Sequence, residues 1–170
     1  MYSILVFDIV HDRRIPKLRD DYILVKTIAV GLNPTDWKHI DFIMKEPGPL
    51  VGCDYAGILE DVGSKITKPC KNGDGICGMG HGSNAFQRVP TRRRYFAEHI
   101  VVKGDIQIGI FDNINCEQAA TLGIGIAAVG QGLYQGLSLT IPTDSVKTAE
   151  PMLIYGGSTA TGQCLGNSVR

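Results

Sequence analysis

The chain has 170 residues and no formal net charge, with 17 Lys+Arg against 17 Asp+Glu. That balance excludes a general affinity for nucleic acid or acidic membranes, which needs a basic excess. A hydrophobic content of 44% excludes a disordered chain. Glycine is abundant, at 21 residues, so tight turns or close backbone approach to a ligand are expected.

The N-terminal segment MYSILVFDIVHDRR carries its charges after the apolar residues, the reverse of a signal peptide. Ser3 to Val10 reads as a strand. Tyr22 to Val30 is a second strand, rich in β-branched residues and ended by Gly31-Leu32-Asn33-Pro34. Thr35 or Asp36 is placed to cap a short helix containing Trp37 and Ile40. Tyr55 to Val62 reads as a strand between Gly52 and Gly63. Gly73-Asp74-Gly75 is a turn, and Ile76 to Met79 resumes extended structure. Ala97 to Val102 and Ile106 to Ile110 complete the series. Short strands cut by Gly, Pro, Asn and Asp suggest a small barrel. Arg88 with Arg92, Arg93 and Arg94 forms a basic cluster. In a neutral chain it reads as a solvated loop ahead of a nucleic-acid or carrier-domain patch.

At Asn115 the period changes. Asn115 is a good N-cap, with Gln118 positioned for a capping box. The run Ala119 to Leu139 then predicts one or two helices broken near glycines. Its Thr121, Gln131, Gln135 and Ser138 mark it as a helix of a water-exposed fold, and no apolar run approaches the ~20 residues of a membrane span. A polar loop, Leu139 to Pro151, leads to Met152–Tyr155, a buried-strand candidate. That strand runs into Gly156-Gly157-Ser158-Thr159-Ala160-Thr161-Gly162. An apolar strand followed by such a turn opens a dinucleotide-binding fold, whose glycines let the backbone approach a pyrophosphate at a helix N-terminus. Counted from Gly156, Ser158 and Thr161 stand where the second and third glycines of the fingerprint belong. A flexible loop is the competing reading. The cysteines, 53, 70, 77, 116 and 164, are odd in number and include no CxxC pair, which fits a reduced, cytoplasmic protein.

Five segments taken in order resemble the medium-chain dehydrogenase/reductase superfamily. They are Ala29 to Lys38, Gly52-Cys53-Asp54-Tyr55-Ala56-Gly57, Gly73-Asp74, Phe96-Ala97-Glu98-His99 and Glu117 to Leu122. The turn Tyr155 to Gly162 is similar to the phosphate loop of trans-acting enoyl reductases that serve fungal polyketide synthases. The resemblance implies a mixed β and α/β chain. Residues 1–112 would form a GroES-like, partly open β-barrel, and 113–170 the helix-strand start of an incomplete Rossmann domain. The glycine at position 75 departs from the arginine that commonly follows the aspartate in relatives.

The resemblance also implies a metal-free enzyme. Zinc-dependent members place a ligand Cys where this chain has Asn33 and a ligand His where it has Cys53, and one thiolate cannot hold a tetrahedral zinc. The cofactor implied is NADPH, contacted by Thr35, Asp36, Trp37 and Lys38 from the β domain and by Ser158, Thr159, Ala160 and Thr161 at its phosphates. Val129, Gly130, Gln131, Gly132, Leu133, Tyr134, Gln135 and Gly136 would line a channel for a carrier-bound enoyl thioester. The partner would be a polyketide synthase, and no proton donor is assigned. Bland readings stand beside these: Thr35-Asp36 as a helix cap, Trp37 as a packing anchor and 129–136 as core. A full relative continues past residue 170 with the rest of its Rossmann sheet, so impaired activity is expected of this chain alone. The alternatives are a zinc-free quinone or enone reductase and a non-catalytic binding fragment.

Overall fold

The computed structural model describes residues 9, 11, 14–43, 51–80, 96–141, 143 and 151–168. The expected strand at Ser3 to Val10, Ile9 apart, and the arginines at 88 and 92–94 lie outside the described residues.

Among the described residues, five strands form one antiparallel sheet: β1 (Tyr22–Gly31), β2 (Asp54–Val62), β3 (Gly75–Met79), β4 (His99–Lys103) and β5 (Gln107–Gly109), in the order β4-β1-β2-β3-β5. Among the described residues the sheet is open, with β4 and β5 at its edges. β5 is shorter than the Ile106 to Ile110 expected, because Gly104–Ile106 closes a 3-10 turn instead. β1 pairs with β2 from Ile23↔Val62 to Gly31↔Asp54, with register shifts at Leu24/Val25 and Thr27/Ala29 that bend the strand. The predicted turn before β3 forms. Gly73 adopts φ +93, Asp74 accepts from the Lys71 amide at 2.8 Å, and Leu59 donates to the Asp74 carbonyl at 2.9 Å.

Alternation along each strand gives the sheet two unlike faces. One buries large side chains: Ile23, Val25, Tyr55, Leu59, Ile76, Ile100 and Val102, with Val62, Ile66, Cys70 and Ala97 packed around them. Each such burial stabilises the fold by about 1.5–3 kcal/mol. The other face is built from small residues. Ala56 and Cys77 meet Ala119 and Ala120 there, flanked by Ala29, Ile108, Ile110, Ile114 and Cys116. Small side chains let a helix backbone come close to the sheet, and this face receives the helices that follow.

Those helices are α2 (Cys116–Ala119) and α3 (Gly123–Gly130), followed by a π-helical turn at Gln131–Gly136. The capping box read at Asn115 is present. Gln118 donates its amide to Asn115 Oδ1 at 2.8 Å, and Asn115 donates its own to Gln118 Oε1 at 3.1 Å. The expected interruption falls at 120–122, and the widened turn lies among the later glycines.

Met152–Tyr155 is not a strand. Among the described residues no strand pairs with it, and Leu153 is 95% and Tyr155 100% exposed. A parallel strand acquires its hydrogen bonds and its burial from neighbours on both sides. The apolar pattern of MLIY therefore does not by itself produce a strand. A final helix, α4, spans Ala160–Ser168.

Candidate functional site

The site is assembled around the junction of β1, β2 and α3. After β1, the chain turns into a helix, α1 (Pro34–Lys38). Its N-cap is Asn33, in extended conformation, and not Thr35 or Asp36 as expected. Pro34 explains the placement, because proline fits the first helical position, where an N–H would have no partner. Asp36 instead reaches back from the third position. Its Oδ2 accepts the Asn33 amide at 2.7 Å, and its own amide donates to the Asn33 carbonyl at 2.9 Å. Asp36 is 5% exposed, and its Oδ1 is buried without a hydrogen-bond partner.

The Asn33 side chain faces the sheet, where Nδ2 donates to Asp54 Oδ2 at 2.8 Å. The other oxygen of Asp54, Oδ1, accepts the Ile124 amide at 2.8 Å. Ile124 lies in the first turn of α3, whose leading N–H groups lack intrahelical partners. The N-cap of α3 is Leu122, which offers no side-chain acceptor, so the sheet supplies one. Asp54 is 1% exposed. Burial pushes its carboxyl up to about 6, against the opposing pull of the Asn33 and Ile124 hydrogen bonds, and the nearby Asp36 charge adds to the rise. Gly123 makes this approach possible. A β-carbon there would lie 2.6 Å from Asp54 Oδ1 and 2.8 Å from the Gly78 carbonyl.

Of the residues expected to contact cofactor from the β domain, Trp37 is 51% exposed. The Lys38 ammonium lies 5.7 Å from the Trp37 ring centroid, and Phe42 packs 6.2 Å away on the same ring. Thr35 is half-buried. The expected channel segment is divided. Val129 and Leu133 are buried and serve as core, Gly130 and Tyr134 are half-buried, and Gln131, Gly132, Gln135 and Gly136 are exposed.

The glycine-rich turn closes in a register different from the one counted in the sequence. Thr159 is the N-cap of α4: its hydroxyl accepts the Gly162 amide at 3.0 Å and donates to the Gly156 carbonyl at 2.9 Å. A β-carbon on Gly162 would sit 2.3 Å from that carbonyl oxygen and 2.8 Å from the Gly157 Cα. The glycine that lets the turn close is thus Gly162, not position 161. Thr159, expected to bind phosphate through its hydroxyl, spends that group on the turn. Ser158 and Ala160 are exposed, and Thr161 is half-buried. A β-carbon on Gly157 would meet nothing within 4 Å, so the outer side of the turn is open.

These parts connect in sequence. α1 is tied to the sheet and to α3 through Asn33, Asp54 and Ile124. α3 packs on α4 at Gly125, where a β-carbon would lie 3.2 Å from the Cys164 sulfur. Among the described residues, no hydrogen bond joins Thr35–Lys38 directly to Ser158–Thr161, and no group of three or more His, Cys, Asp or Glu side chains is placed to hold a metal. No described helix is long and apolar enough to cross a membrane. Asn33, Asp54 and Gly162 stand inside the motifs read from the sequence, but that reading gave them no site role. The first two gave only a weak signal, an acid inside an otherwise apolar strand start.

An antiparallel sheet with a helix docked through a buried acid, followed by a helix entered from a glycine turn, is the architecture with which comparisons to known proteins agree. The family model of the alcohol dehydrogenase GroES-like domain matches residues 19–111, and the chain belongs to that family, within the medium-chain dehydrogenase/reductase superfamily. Its relatives include fungal trans-enoyl reductases. It is 60% identical over 154 residues to the trans-enoyl reductase TOXD of Cochliobolus carbonum, a match covering 91% of this chain and 50% of that protein. The chain thus spans about half the length of this curated relative. An alcohol dehydrogenase superfamily protein from Novosphingobium aromaticivorans shares the fold, with a TM-score of 0.71 at 20% identity, over 92% of this chain and 44% of that one. A mycobacterial protein solved in complex with NADPH also shares it, with a TM-score of 0.64 at 19% identity, over 91% and 43%.

Proposed function

We propose that the protein is an NADPH-dependent enoyl reductase that acts in trans on a carrier-bound enoyl thioester of a polyketide synthase, in the cytoplasm. The observation that carries this reading is the closed glycine turn. Gly156 and Gly162 are in backbone contact, while Gly157 and Ser158 are left open at the N-terminus of α4. Such a turn presents backbone N–H groups to a phosphate, and this geometry fits the pyrophosphate of NADPH. The kinship with trans-enoyl reductases supports the choice of reaction, and the NADPH held by a protein of the same fold supports the choice of cofactor.

In this reading residues 1–112 form the GroES-like unit and 113–170 the start of the nucleotide-binding unit. Gly157, Ser158 and the leading amides of α4 hold the phosphates. Thr159 keeps the turn closed without touching them. Thr35 to Lys38 face the cofactor from the sheet side, and the unpartnered Oδ1 of Asp36 offers a buried acceptor to it. Gly130, Gln131, Gly132, Tyr134, Gln135 and Gly136 line the substrate side, with Val129 and Leu133 as their support. NADPH, when bound, supplies hydride to the β-carbon of the unsaturated thioester.

The test is equilibrium binding of NADPH to the 170-residue chain, followed by nicotinamide fluorescence, together with NADPH oxidation in the presence of an enoyl thioester or a free quinone. Saturable NADPH binding, with oxidation favouring the thioester, is expected. Since the chain matches about half of its relatives' length, binding should be easier to detect than turnover. Absence of NADPH binding overturns the cofactor assignment, and oxidation by quinone alone overturns the substrate assignment.

A further inference from the structure

We propose that Asn33 and Asp54 form a positioning joint that sets where the Thr35–Lys38 turn stands relative to α3. Its functional consequence, placement of two faces of one cofactor site, rests on the reading above.

Asp54 is held in two ladders, opposite Gly31 of β1 and Met79 of β3, so its backbone is anchored on both sides. From that fixed point its two carboxylate oxygens reach separate elements, Asn33 on one side and Ile124 on the other, each at 2.8 Å. Both elements need outside help to hold their place. α1 has five residues, too few to be stable alone, and its Trp37 and Lys38 face outward. The N-cap of α3 is Leu122, whose side chain offers no acceptor. Gly123 removes the side chain that would otherwise push the helix off the carboxylate.

The geometry is also selective for an amide paired with a carboxylate. Asn33 is an N-cap, a position that Ser, Thr or Asp would fill as well. Its side chain, however, donates across to Asp54, which an ionised aspartate cannot do and which a Ser or Thr hydroxyl, one bond shorter than the amide nitrogen, is poorly placed to reach. An aspartate at 33 would set two carboxylates against each other beside a third, Asp36. The joint is independent of the capping bond, because Asp36 accepts from the backbone amide of residue 33 and that amide survives substitution. Asp54 thereby acts through Asn33 and Ile124 and is a positioning residue, not a catalytic one.

The experiment compares the 170-residue chain with Asn33→Ala, Asn33→Asp and the exchange variant Asn33→Asp/Asp54→Asn. Amide hydrogen exchange is read at residues 36–40 and 124–126, and NADPH affinity by nicotinamide fluorescence. Asn33→Ala is expected to speed exchange at residues 36–40 and weaken NADPH binding by about tenfold or more, the scale of one charge-assisted hydrogen bond, while the Ile124 amide stays protected. Asn33→Asp is expected to be worse. The exchange variant places amide and carboxylate in swapped positions and is expected to recover to within about threefold of the wild-type chain, since the same pair of groups is restored.

Unchanged exchange at residues 36–40 in Asn33→Ala overturns the joint. So does an exchange variant as damaged as Asn33→Asp, whether folded or not. If the wild-type chain shows no NADPH affinity, the proposed function fails, and the exchange measurements alone decide the joint.

Discussion

Two glycines of α4 allow the turn geometry to be tested against itself. Gly162 and Gly166 lie in the same nine-residue helix, and replacing either with alanine gains the same ~1 kcal/mol of helix propensity. At Gly166 the new β-carbon meets nothing within 4 Å, so the gain is realised in full. At Gly162 it would lie 2.3 Å from the Gly156 carbonyl oxygen, and both near neighbours are backbone, which cannot rotate away. Relief requires the turn to open, at a cost of about 1–3 kcal/mol for overpacking and ~1 kcal/mol more for the Thr159 cap. The two variants should therefore differ by about 2–4 kcal/mol in the local stability of α4. Amide exchange over residues 160–168 measures this directly. Gly166→Ala should slow exchange about fivefold, and Gly162→Ala should accelerate it and weaken NADPH binding. Equal protection in the two variants would refute the close approach of Gly156 and Gly162, and with it the register assigned to the glycine turn.

Three further outcomes are expected. Because the folded-state pKa of Asp54 is raised to about 6 from 3.8, the folded chain holds this proton more tightly than the unfolded one; the stability contributed by this group is fully present below pH 4 and is lost, by about 3 kcal/mol, as pH rises through 6. Asp54→Asn has no such titration, so urea melts of the two proteins should diverge between pH 4 and pH 7, and a constant difference across that window would sink the assignment. Gly123→Ala should destabilise the fold by about 1–3 kcal/mol and expose the Ile124 amide to exchange; full retention of its protection would contradict the contact with Asp54. Burial pushes the Cys77 thiol up and Cys53 is also buried, whereas Cys70, Cys116 and Cys164 are half-buried; a thiol reagent at neutral pH should label the last three at least about tenfold faster, and Cys77 reacting as fast as Cys164 would refute this.

Much of the sheet is legible in the sequence because its signals are local. Runs such as YILVKTIAV combine β-branched residues with glycine and proline at their ends, and these features act within a few residues of one another. The same holds for the Asn115–Gln118 box. The site is less legible because its bonds span long separations. Asn33 and Asp54 are 21 residues apart and Asp54 and Ile124 are 70 apart, and no periodicity encodes either distance. The glycine turn shows a different limit. A fingerprint counts glycines by spacing, whereas the fold selects the glycine with no room for a β-carbon, which is Gly162. Met152–Tyr155 shows a third limit, because an apolar tetrapeptide reads the same whether or not strands lie beside it.

The two faces of the sheet explain why the joint lies where it does. On the face built from large side chains, Tyr55, Leu59 and Ile76 belong to one buried cluster. On the other face Ala56 and Cys77 stand one residue along from Tyr55 and Ile76, and the alanines of α2 close directly onto them. The approach is close enough that a β-carbon on Gly31 would lie 2.4 Å from the Ala120 carbonyl oxygen. α2 is thereby pressed to the sheet at the end of β1, and the chain leaving it has only residues 120–122 before α3 begins. The start of α3 must then fall beside the start of β2, where Asp54 stands opposite Gly31. A carboxylate at that point serves the first turn of α3 and the N-cap of α1 together. A larger residue on the small face would move α2 outward and take Ile124 beyond hydrogen-bond reach. The small-residue pattern of Gly31, Ala56, Ala119 and Ala120 is therefore as much a determinant of the site as the polar groups within it.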